Sequence, residues 1–99
     1  MRIEVEHHTT REKARQIIEK KMADLERQYG HHADGIERTW TGDLLNFVFK
    51  ARGMTGKGSL EITDTGVIVD GKLPLLAKPF ESRIKSTVER EASEMFQKA

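Results

Sequence analysis

The chain contains no cysteine, which excludes disulfides, zinc–thiolate centres and cysteine nucleophiles together. Proline is scarce, with 2 among 99 residues, and aromatic residues make up only 6%. No apolar run approaches the roughly 18 residues that a membrane-crossing helix needs. The opening Met1-Arg2-Ile3-Glu4-Val5-Glu6 lacks the apolar stretch of a secretory signal. An excess of either charge is missing too: 33% of the residues are charged, yet the formal net charge is +1. That balance gives no general attraction to nucleic acid or to an anionic surface, so nucleic acid is not an expected partner. The missing cysteine fits a reducing compartment, and a cytoplasmic location is the expectation.

Periodic pattern is what the chain does have. Its length suits one domain spanning 1–99, with enough buried surface for a modest core. Ile3 and Val5 alternate with Arg2, Glu4 and Glu6, which predicts a first strand with one wet face. Thr9 and Glu12 have capping-box spacing. Ala14, Ile17, Ile18, Met22, Leu25 and Tyr29 then recur at helical spacing up to Gly30, a candidate C-terminal cap. His31 to Gly35 reads as a polar connection. Strands are predicted from Ile36 to Thr41, around Leu45, Phe47 and Phe49, around Leu60 and Ile62, and at Val67 to Val69. Gly42-Asp43 is a tight hairpin turn, and Gly53 to Gly58 reads as a flexible bend. Phe80, Ile84, Val88, Ala92 and Phe96 stand one every four residues, the stripe of a long closing helix with Pro79 in its first turn. The predicted architecture is α+β, in the order β-α-β-β-β-β-α: an antiparallel sheet of about five strands with two helices on one face.

Motifs that carry chemistry are few. Adjacent strand residues face opposite ways, so His7 and His8 cannot readily share an ion, and no HExxH spacing exists. The glycines from Gly53 to Gly58 lack the phosphate-loop spacing, since Gly58 follows Lys57 and a strand comes next. No nucleophile elbow surrounds Ser59, Ser82, Ser86 or Ser93. No catalytic residue, metal site or cofactor is therefore expected. Arg38, Lys50, Arg52 and Lys57 form a candidate basic stripe, competing with an ordinary wet sheet face. Trp40, Phe47, Phe49 and Phe80 are candidates to line the space between sheet and helix. Plain core packing competes there with a pocket for an apolar ligand. Leu73, Leu75 and Leu76 are candidates for an exposed apolar contact, against the alternative of capping the end of the core.

Several segments together resemble a known family. They are Ile3-Glu4-Val5-Glu6-His7, the helix beginning near Thr10, Gly58-Ser59-Leu60-Glu61-Ile62, Val67, Leu73-Pro74-Leu75-Leu76-Ala77, Phe80 and Ile84. The pattern is similar to the polyhydroxyalkanoic acid system proteins, small bacterial proteins encoded near storage-granule genes. The resemblance implies a role around polyhydroxyalkanoate granules but carries over no catalytic residue. The element order is also similar to a shortened helix-grip domain, which holds apolar ligands between a sheet and a long helix. The expected function is that of a non-enzymatic accessory protein, binding a granule protein, the granule surface or an apolar acyl ligand. A small hydrolase or cyclase acting on an acyl compound is the alternative; it needs a polar group facing a cavity, and His7 is its candidate. A homodimer through a free sheet edge is a third expectation.

Overall fold

Alternation in the first residues produces strand β1 (Arg2–Glu6), with Ile3 buried and Arg2, Glu4 and Glu6 exposed. The computed structural model describes residues 1–29, 35–51, 53–73 and 75–97. After β1 the chain bends at His8, whose φ of 55° makes it the one non-glycine residue with positive φ among the described residues. The cap of the following helix falls one residue later than the Thr9–Glu12 spacing predicts. Thr10, not Thr9, accepts the N–H of Lys13, at 3.1 Å. The Thr9 N–H is itself held by His7 Nδ1 at 3.1 Å, which keeps Thr9 in the bend. Helix α1 (Arg11–Tyr29) then buries Ala14 and Ile18, with Ile17 and Met22 packed beside them. The Gly30 cap and the His31-His32 pair lie outside the described residues.

Four strands follow: β2 (Gly35–Thr41), β3 (Leu44–Ala51), β4 (Met54–Ile62) and β5 (Gly66–Lys72). Gly35 is therefore strand rather than connection. Gly42 has a φ of 61° and Asp43 does not share a positive φ, the pattern of a type II′ hairpin turn. Of the expected bend from Gly53 to Gly58 only Gly53 lies outside a strand, since Met54 to Gly58 already pairs with β3. At the next turn the Thr63 hydroxyl accepts the Gly66 N–H at 3.0 Å.

All strand pairs are antiparallel, in the order β1-β5-β4-β3-β2. The two strands flanking α1 are thus the two edges of the sheet, and α1 carries the chain from one to the other. A 3₁₀ segment (Leu75–Phe80) containing Pro79 precedes the closing helix α2 (Glu81–Gln97). Pro79 thus lies ahead of the α-helix, and Phe80, at 57% exposure, drops out of the predicted stripe. The rest of the stripe turns inward: Ala92 and Phe96 are buried and Ile84 and Val88 half-buried.

The register aligns one side chain from every strand in a single row, Ile3, Val69, Leu60, Leu45 and Trp40. Ile62 and Val67 form the next row. Ala14 and Ile18 of α1 and Phe96 of α2 complete this core, so both helices pack on the same sheet face. Fully burying one such side chain contributes about 1.5–3 kcal/mol. Lys21 on α1 pairs with Glu91 on α2 at 2.6 Å. Among the described residues, no helix is long and apolar enough to cross a membrane.

Candidate functional site

Two residues along each strand from the core, large side chains give way to small ones. Phe47 stands opposite Gly58, and Phe49 opposite Gly56. Gly58 in turn stands opposite Gly71 on β5. The glycines leave room that the two phenylalanines only partly fill. A Cβ at Gly58 would sit 2.5 Å from Phe47 Cζ, so that ring lies directly over the glycine. A Cβ at Gly56 would meet nothing within 4 Å. Above this floor pass Leu73, Ala77 of the 3₁₀ segment and Val88 of α2.

The result is a cleft of about 330 Å³ between the sheet and the start of α2, walled also by Met1, Met54 and Val69. Its volume falls at the lower end of the range of about 300–1,000 Å³ typical of small-molecule sites. The titratable residues along it are Lys57, Asp70 and Lys72. Strand alternation assigns all three to the face opposite Gly58, Val69 and Gly71, so their backbone borders the cleft while its interior is apolar. A second groove of about 460 Å³ runs along Val5 and the outer side of α2, past Ser86, Glu89, Arg90, Ser93 and Glu94. It is built largely of solvent-facing helix side chains and gathers no apolar floor.

The candidates from the sequence divide into three groups. Phe47, Phe49 and Leu73 do come together, as cleft walls. Trp40 lies in the core row instead, half-buried, with the Arg15 guanidinium 4.4 Å from its ring centroid. Its Nε1 is buried and finds no hydrogen-bond acceptor among the described residues. Leu75 and Leu76 are 81% and 75% exposed, so they do not cap the core, and Phe80 joins them outside. The apolar cleft residues that the sequence does not mark as such are Met1, Met54, Gly56, Gly58, Val69, Gly71, Ala77 and Val88. For Met54, Gly56 and Gly58 a signal lies in their even-numbered alternation with Leu60 and Ile62.

His7 is buried at 2% exposure but stands at the other end of the sheet, its ring 6.2 Å from that of Phe96. Because Nδ1 accepts the Thr9 N–H, the ring proton sits on Nε2, which donates to the Thr63 carbonyl at 2.8 Å. Both nitrogens are committed to backbone, and the ring ties the end of β1 to the β4–β5 turn. His7 does not face the cleft, where the hydrolase or cyclase alternative placed it. His8 is exposed, with its Nδ1 3.6 Å from the Glu6 carboxylate. Among the described residues no three His, Asp or Glu side chains gather at metal-binding spacing. The expected basic stripe is also broken up. Arg38 turns to α1, where it pairs with Glu26 and, at 3.3 Å, with Glu19, while Lys50 and Lys57 belong to the other face and Arg52 lies outside the described residues.

Beside the Arg11 guanidinium, the Asp64 carboxyl is held below the usual carboxylate range, first by a hydrogen bond and then by charge. Arg11 is raised in turn by Asp64 and Asp43, both at 2.6 Å. This trio joins the first turn of α1 to two hairpin turns and lies at the His7 end, away from the cleft.

Fold and site define an α+β domain whose five-stranded antiparallel sheet and paired helices enclose an apolar cleft. The chain belongs to the family described as "Putative polyhydroxyalkanoic acid system protein", whose model matches residues 1–96. Neither the curated proteins nor the solved structures yield a match.

Proposed function

We propose that this protein is a non-enzymatic accessory factor of polyhydroxyalkanoate storage-granule metabolism that holds the apolar part of an acyl ligand in the cleft. The observation that carries this reading is the floor of Phe47, Phe49, Gly56 and Gly58 beneath Ala77 and Val88. Small residues there leave space beneath the start of α2, whereas close packing is the ordinary state of protein interiors. The family supports the setting, since hydroxyacyl chains are the building blocks of the polymer. The placement of a cleft between sheet and closing helix also supports the helix-grip likeness.

A medium-chain β-hydroxy acid is the probe. Calorimetric titration should show saturable one-to-one binding to the parent and none to Gly56→Val, whose side chain would occupy the cleft from an open strand position. A heat of dilution alone with the parent, or equal binding by both proteins, would overturn the reading.

A further inference from the structure

The 3₁₀ segment carries a second feature, separate from the cleft. Leu75, Leu76 and Phe80 are 81%, 75% and 57% exposed. Single apolar residues on a surface are ordinary, but three within six consecutive residues form a ridge. Cations flank it in sequence. Lys78, Arg83 and Lys85 all lie within residues 75–85 and are exposed, against one acidic residue, Glu81. None of the three enters an ion pair among the described residues. Elsewhere among the described residues Arg2, Arg11, Lys21, Arg27 and Arg38 are paired with carboxylates, whereas Lys13, Arg15, Lys20, Lys50, Lys57 and Arg90 are not, so lack of a partner is not peculiar to this segment. Its peculiarity is that unpaired cations adjoin the most exposed apolar side chains of a chain whose net charge is only +1.

We propose that residues 75–85 form an interfacial anchor for an anionic lipid surface. Leu75, Leu76 and Phe80 enter the acyl region while Lys78, Arg83 and Lys85 meet the headgroups, the arrangement that amphipathic surface-binding segments use. Charge complementarity selects this occupant. A neutral polymer or an apolar protein groove would cover the ridge but would leave the three cations without a counterpart.

The test is co-sedimentation of the full chain with vesicles of phosphatidylcholine alone and of phosphatidylcholine with phosphatidylglycerol at three to one. The parent should bind the anionic vesicles, less tightly as salt rises, and the neutral ones little. Lys78→Glu with Arg83→Glu should weaken binding about tenfold or more, because each cation near such a surface is worth roughly a fivefold change. Leu75→Ser with Leu76→Ser should weaken it about tenfold or more without lowering the melting temperature, since the removed side chains stand in water. The cleft-filled Gly56→Val protein should bind like the parent, which separates this anchor from the ligand site. Failure to bind anionic vesicles overturns the proposal. So does equal binding to neutral vesicles or bare polyester particles that survives charge reversal, an outcome pointing to an apolar partner instead.

Discussion

Two glycines on one strand face, two residues apart, have opposite roles. Gly58 is covered by the Phe47 ring, and an added Cβ would also come within 2.9 Å of the Asp70 carbonyl oxygen. Gly58→Ala should therefore cost about 1–3 kcal/mol through overpacking, read as a lower urea midpoint with unchanged slope. Gly56 has open space above it. There a β-branched side chain gains strand propensity and loses less unfolded-state entropy, so Gly56→Val should hold or raise stability by about 0.5–1 kcal/mol. Two variants that destabilise equally would contradict the assignment of packed and open ends. His7 gives a third measurement at this scale. His7→Phe keeps a ring near Phe96 but strands the Thr9 N–H and the Thr63 carbonyl. An unpaired buried group costs about 1–3 kcal/mol, and a domain this size loses about 4–8 °C of melting temperature per kcal/mol. A drop of about 8 °C or more is expected, and a melting point within a degree or two of the parent would refute the tie.

Between elements, Arg11 links α1 to the β2–β3 and β4–β5 turns through Asp43 and Asp64. Asp64 has its pKa held below the ordinary 3.8 by Arg11. A carboxyl depressed on folding stabilises the native state above its unfolded value, and that contribution disappears as pH falls through the folded value. Asp64→Asn should thus be slightly less stable than the parent at neutral pH, with the gap closing in acid below the ordinary carboxylate value. A gap in urea midpoints that widens on acidification would show the sign to be wrong. Elements are also where the sequence was most legible. Alternation in Ile3–Val5 and Leu45–Phe49, the helical spacing of Ala14–Met22 and the stripe from Ile84 to Phe96 each mark a face that must be covered. Boundaries set by long-range partners were not legible. Thr10 displaces Thr9 as the cap because His7 takes the Thr9 N–H. Met54 to Gly58 is strand because β3 pairs with it, whatever its glycine content. For Leu75 and Leu76 hydropathy leaves an exposed contact and a cap on the core both open, and only their place in a 3₁₀ segment ahead of α2 shows them in water.

At the scale of the whole molecule, the cleft follows from how the two helices are fixed. Arg38 on β2 pairs with Glu19 and Glu26 of α1. Lys21 and Glu91 join the helices, and Phe96 fills the space near Ala14 and Ile18. Toward the start of α2 the facing residues are Gly56, Gly58, Gly71 and Ala77, too small to close the remaining gap. The sequence supplied Phe47, Phe49 and Leu73 as candidates but could not show that glycines would face them, because cross-strand register is a property of the assembled sheet. The most direct measurement is a map of backbone amide shifts as a medium-chain β-hydroxy acid is added. The account predicts saturable changes centred on Phe47, Phe49, Gly56, Ala77 and Val88, with the residues around His7 unmoved. Changes centred on His7 and Phe96, or none at saturating ligand, would contradict it.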